Sequence, residues 1–194
     1  MRKIFCVFCL LFLLKPLQSF GAEIKFGNVK GGENKPLMKA LAERKTDRIF
    51  SKKPISDELQ GKILWAAAGV NRKNGKKTVP FARNVNDILL YVLRSDGVWL
   101  YNPENNAITQ ISADGIEEDG IIKLVFVSNS EDYVKNGIAQ MHAGSMYQNA
   151  ALVCASEGLG NVVEGMFNEK DLTKKLQLKK GEKIIITQKI GWVK

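Results

Sequence analysis

The chain has 194 residues, with 29 Lys and Arg against 20 Asp and Glu, one histidine and three cysteines. One histidine and so few cysteines cannot build a zinc or copper shell, and no acidic cluster has calcium-loop spacing, so a metal centre is excluded. The net charge of +9 is dispersed, without an aromatic-interleaved groove, a helix-turn-helix or a zinc pattern, which argues against nucleic acid as a partner.

At the N-terminus, Met1-Arg2-Lys3 precedes an unbroken apolar run, Ile4 to Leu14, followed by Lys15-Pro16 and small residues at Ser19, Gly21 and Ala22. As a helix the run reaches about 16 Å, against about 30 Å of bilayer hydrocarbon. It therefore predicts a cleavable signal peptide over 1–22, cut after Gly21 or Ala22, and export to the periplasm or beyond, with no membrane span afterwards. The mature chain of about 172 residues suits one domain. It keeps Cys154 as its single cysteine, so stability must come from a core or from oligomerisation, not from an internal disulfide.

Residues 23–36 are polar and Gly-rich and predict an extended arm before a domain over 37–194. Leu37, Ala40 and Leu41 set a short helix running to about Asp47. Ser56 is an N-cap with Asp57 and Glu58 in the first turn, and Leu59, Ile63, Leu64 and Ala67 repeat at helical spacing up to Gly69. Asn71 to Val79 is a charged loop whose lysines read as a solvated face. Ile88–Leu93, Val98–Tyr101 and Ala107–Ile111 form a three-strand meander, Asp114–Asp119 a short helix or turn, and Ile121–Val127 a central strand. Ser130 to Gln140 starts a helix that feeds an uncharged stretch, Ala143 to Ser156, which must be buried almost all round. Gly158 stops it, Leu159-Gly160-Asn161 reads as a turn, Glu169–Leu178 is a last helix and Lys183–Ile190 a closing strand. Helices framing a run of strands indicate an α+β sandwich.

Catalytic nucleophiles are poorly supplied. His142 lacks a nucleophile in any recognised turn and reads more simply as a partly buried helix residue or an interface contact, while Cys154 sits in an apolar helix that disfavours its thiolate. Three polar segments suit an anionic, planar ligand instead. Arg44-Lys45-Thr46-Asp47-Arg48 sets two guanidinium groups, an ammonium and a hydroxyl where a helix gives out; it is either a phosphate grip or a solvated helix end. Asn84 can both donate and accept, as a flavin or pyrimidine edge requires, or it is a cap. Glu164-Gly165 puts a carboxylate beside a residue without a side chain, where a flat ligand could lie against the backbone.

These segments, taken in order, resemble the nitroreductase-like FMN flavoproteins, in particular the compact branch related to the thiazole/oxazole-forming SagB-type dehydrogenases. The matching stretches are Arg44 to Arg48, Phe50, Pro54-Ile55-Ser56, Leu64 to Arg72, Thr78-Val79-Pro80-Phe81-Ala82-Arg83-Asn84, Asp96-Gly97-Val98-Trp99-Leu100-Tyr101, and Gly144, Gln148-Asn149 and Gly158-Leu159-Gly160. The resemblance implies a nitroreductase-like sandwich with a central, mostly antiparallel sheet, closed as an intertwined homodimer around FMN. It implies that Arg44, Lys45, Thr46 and Arg48 hold the phosphate and ribityl end, with Lys194 in place of the family's C-terminal basic residue. Asn84 would meet the polar edge of the ring, and Glu164 and Gly165 would lie against it with the Gly165 N–H near flavin N5. Hydride transfer would be ping-pong between a small-molecule donor and acceptor with no catalytic side chain; NAD(P)H is one candidate donor, although it is not a normal component of compartments outside the cytoplasmic membrane. Phe81 and Asp47 depart from the family pattern, which keeps open a flavin-free dimer acting as a binding protein.

Overall fold

The computed structural model describes residues 21–29 and 35–194. Most of the predicted signal peptide, and part of the arm, lie outside them. Seven strands form one sheet: β1 (Glu23–Lys25), β2 (Ile88–Arg94), β3 (Gly97–Asn102), β4 (Ala107–Ser112), β5 (Ile121–Ser128), β6 (Leu159–Glu164) and β7 (Lys183–Trp192). Their order is β1-β4-β3-β2-β5-β7-β6, with every neighbouring pair antiparallel. Five helices accompany them: α1 (Leu37–Glu43), α2 (Asp57–Ala68), α3 (Glu131–Lys135), α4 (Ile138–Glu157) and α5 (Glu169–Lys175). This is the α+β sandwich that the alternation of elements predicts.

Strand β5 is apolar on both faces because both are covered. Ile122, Leu124 and Phe126 join the main core, where Ile63, Leu64 and Ala67 of α2 meet Ala143, Met146, Ala150 and Cys154 of α4. Val125 and Val127 point the other way, into a smaller core with Tyr91, Leu93 and Leu172 of α5. The expected cap of α2 forms, with the Leu59 N–H donating to Ser56 Oγ at 3.3 Å. Burial raises the Cys154 thiol far above its ordinary pKa, so it is a core residue.

Several boundaries differ from expectation, each for a local reason. Helix α1 stops at Glu43, because Arg44 turns to an extended conformation and the Asp47 N–H is taken by the Asn161 carbonyl of β6 at 2.9 Å. Gly137, at φ 73°, splits the expected continuous helix into α3 and α4. Gly158, at φ 77°, reverses the chain alone, so Leu159-Gly160-Asn161 is strand and not turn, paired with Trp192, Gly191 and Ile190. Residues 114–119 contain no helix, and the start of the arm is an edge strand against β4. Between Ala143 and Ser156 no residue of helix α4 is exposed, but Gly144, Gln148, Leu152 and Ala155 are only partly buried and Met141, just before that stretch, is 63% exposed, so an uncharged stripe is incompletely covered within the chain.

Candidate functional site

The basic segment after α1 is fixed to the sheet by two glycines. Gly160 and Gly191 pair across β6 and β7. A Cβ on Gly160 would lie 2.8 Å from Asp47 Cβ, and one on Gly191 would lie 3.1 Å from Phe50 Cβ. The missing side chains therefore admit the segment 44–50 onto that end of the sheet. Val193 bridges Phe50, and the Lys194 N–H reaches the Ile49 carbonyl at 3.4 Å, so the C-terminus runs beside the arginines. Arg44, Lys45, Thr46, Arg48 and Lys194 thus share one end of the molecule.

Two cavities open there. One, of about 410 Å³, is lined by Lys45, Asp47, Gly158 and Asn161; Asp47 turns to Lys45 at 3.5 Å and partly neutralises it. The other, of about 260 Å³, has Arg48 facing Glu117, Glu118 and Asp119, two of which are already paired, Glu118 with Lys189 at 2.8 Å and Asp119 with Lys52 at 3.9 Å. Among the described residues, neither Arg44 nor Arg48 forms an ion pair.

Glu164 ends β6 with its carboxylate between Lys123 at 3.2 Å and Lys189 at 3.7 Å. Burial of Lys189 opposes its charge, but Glu118 and Glu164 together outweigh it and raise its pKa, so Lys189 keeps its charge. Gly165 follows, exposed, with nothing within 4 Å of a would-be Cβ, and Met166 beyond it is 94% exposed. The chain therefore leaves open space over the Gly165 backbone.

Asn84 lies elsewhere. Its segment, a 3-10 turn at Ala82–Asn84, has two successive non-glycine residues in the left-handed region, Arg83 at φ 55° and Asn84 at φ 58°. Such a pair is strained and needs outside support. Buried His142 on α4 supplies it: Nε2 accepts from the Ala82 N–H at 2.8 Å while Nδ1 faces Asp87 Oδ1 at 2.5 Å. Asp87 Oδ2 accepts from Ser128 Oγ at 3.0 Å, and the Phe81 ring sits edge-on to the imidazole at 4.8 Å. The Ala82 bond requires Nε2 to carry no proton, so the ring's proton is on Nδ1, donated to the Asp87 carboxylate. His142 is a positioning residue for this turn, which a lone histidine in the sequence does not reveal; an aspartate opening an apolar strand was the available signal.

Asn84 also lines a cavity of about 670 Å³, together with Arg72, Lys76, Lys77, Phe81 and Asn86. Residues 71–76 of the loop are exposed, as a solvated face requires, and with half-buried Lys77 part of the loop also walls this cavity. Arg48 shares its cavity with Ile121 at the start of β5, whereas Asp87 bonds Ser128 at its end, a separation of about 23 Å along the strand. The structure brings Arg44–Arg48 and Lys194 together, and does not bring Asn84 to them within the chain.

The nitroreductase family model matches residues 41–122 and 120–192, which is most of the chain. The chain belongs to the nitroreductase family. It is 28% identical over 164 residues to a nitroreductase-family protein of Methanocaldococcus jannaschii, covering 72% of this chain and 83% of that one. A nitroreductase-family crystal structure from Ralstonia eutropha superposes with a TM-score of 0.80 at 31% identity, covering 89% of this chain and 90% of the other. At 18% identity the NADPH:FMN oxidoreductase of Vibrio harveyi, solved with NAD+, shares the fold, with a TM-score of 0.56 over 81% of this chain and 68% of that one. No helix among the described residues is long and apolar enough to cross a membrane.

Proposed function

We propose that this nitroreductase-family protein is an exported FMN-dependent oxidoreductase that works as a homodimer, passing electrons by ping-pong turnover between a small-molecule donor and an acceptor that occupy one cavity in turn. The observation that carries this reading is the chain's membership of a family that generally binds FMN, together with a retained set of residues whose chemistry suits that molecule. Arg44 and Arg48, unpaired among the described residues, offer forked donors to a phosphate; Thr46 and Lys194 add to that end, and Lys45 does so less because of Asp47. The open backbone at Gly165 can take a flat ring, and Asn84 presents an amide to a polar edge.

Bound FMN supplies the redox chemistry. The chain's part is to grip the phosphate, to lay the Gly165 backbone against the ring, and to hold Asn84 in place through His142. Because Asn84 and Arg48 lie at opposite ends of a protomer, one FMN can meet both only if two protomers contribute. The incompletely covered, uncharged stripe of α4 supports such a pairing, since burying it against a second copy would remove apolar surface from water. The signal-like N-terminus supports export, and export leaves the reductant open, with NAD(P)H one donor among small molecules.

The test is to titrate purified mature protein with FMN, following flavin absorbance and fluorescence quenching, with size-exclusion chromatography alongside. A yellow dimer with one flavin per protomer is expected. Asp47 facing Lys45 favours one competing reading, a binding protein of the same fold without flavin. A colourless dimer in excess FMN would decide for it.

A further inference from the structure

The cavity beside Asn84 carries chemistry that the cofactor reading does not use. Arg72, Lys76 and Lys77 line it, and none of its lining side chains is acidic. Arg72 is tied to its own loop, donating from Nη2 to the Lys77 carbonyl at 2.5 Å and from Nε to Asn71 Oδ1 at 2.9 Å, so its charge is held without a carboxylate. Lys77 is half-buried, and among the described residues its ammonium forms no ion pair; turning the Asn86 amide over lets that carbonyl accept from Lys77 Nζ at 2.5 Å. Burial lowers the Lys77 pKa from the ordinary lysine value, with only partial opposition from Glu104 at longer range. A desolvated ammonium without a counter-ion is costly, and a bound anion would remove that cost. The Phe81 ring forms a wall at 5.6 Å from Lys77 Nζ, placing an aromatic surface beside the charge. The volume, about 670 Å³, is that of a small-molecule site.

From this arrangement we infer that the cavity is a substrate subsite for a planar organic anion, its carboxylate or phosphate on Lys77 and Arg72 and its ring on Phe81. The inference deepens the oxidoreductase reading by naming the substrate class, yet the site itself needs no flavin.

The probe is 4-nitrobenzoate, with 4-nitrobenzyl alcohol as its neutral counterpart, titrated into flavin-free mature protein and followed by amide NMR shifts. The benzoate is expected to perturb Phe81 and Asn84, with affinity about tenfold weaker in Lys77→Gln and largely restored in Lys77→Arg. The neutral probe should bind more weakly and respond little to either substitution. Equal benzoate affinity in wild type and Lys77→Gln, or no perturbation at Phe81, would overturn the subsite. FMN affinity of the same variants separates the two possible anions: a loss matching that of Arg44→Ala would assign the cavity to the cofactor phosphate and also overturn the proposal. Benzoate binding in a protein that ignores FMN would leave the anion site standing and remove the flavin reading alone.

Discussion

Asp87 is completely buried, and its two oxygens face His142 and Ser128. Removing the imidazole by His142→Ala strands a carboxylate in the core and frees the Ala82 N–H, so the variant is expected to lose about 3 kcal/mol of stability. Urea denaturation measures this, and a loss below about 1 kcal/mol would mean that the pair does not hold the strained turn. Arg44 belongs to the other end of the molecule. A charge-assisted phosphate contact is worth about 1.5–3 kcal/mol, so Arg44→Ala should weaken FMN by about ten- to a hundredfold with little change in stability. Fluorescence titration reads the affinity, and an unchanged value takes Arg44 out of the site.

At the level of elements, the two ends of β6 make a contrast that glycine substitution can read. Gly160→Ala would press a methyl onto Asp47 and Val193, each 2.8 Å from its Cβ, and push the segment 44–50 off the sheet. Overpacking of that kind costs about 1–3 kcal/mol, measurable by thermal unfolding. Gly165→Ala meets nothing in the protomer, so stability should stay within about 0.5 kcal/mol while FMN affinity falls at least about fivefold if a ring lies there. Equal effects at the two sites would refute the distinction. Much of this layout is legible in the sequence because it is local: Ser56 with Asp57 and Glu58 announces α2, Gly158 ends α4, and the two-faced apolarity of Ile121–Val127 marks a covered strand. Features set by distant partners are not. Glu23–Lys25 is too short and polar to declare itself a strand until β4 offers an edge, and Arg44 leaves its helix because β6 takes the Asp47 N–H. The helix does break at Asn136-Gly137, a stop signal readable in the sequence but masked there by the apolar run that follows it.

For the whole molecule, residue types pick out the candidate residues while topology decides which of them lie together. The sequence lists Arg44, Arg48 and Asn84 as one set, but only the antiparallel pairing of β2 with β5 shows that Asn84 approaches the Ser128 end while Arg48 lies by Ile121. On the proposed reading, one FMN served by both groups would take Arg44 and Arg48 from one protomer and Asn84 from its partner. A mixed dimer tests this directly. An Arg44→Ala protomer and an Asn84→Ala protomer, each a weak binder as a homodimer, are dissociated and reassembled together. With composite sites, the mixed dimer carries both lesions in one site and none in the other, so half of its sites regain wild-type affinity. If Arg44 and Asn84 act on the same flavin from within one protomer, each site keeps one lesion and no tight binding returns. The FMN stoichiometry of the purified mixed dimer, read by absorbance at micromolar flavin, separates the two outcomes without any knowledge of the substrate.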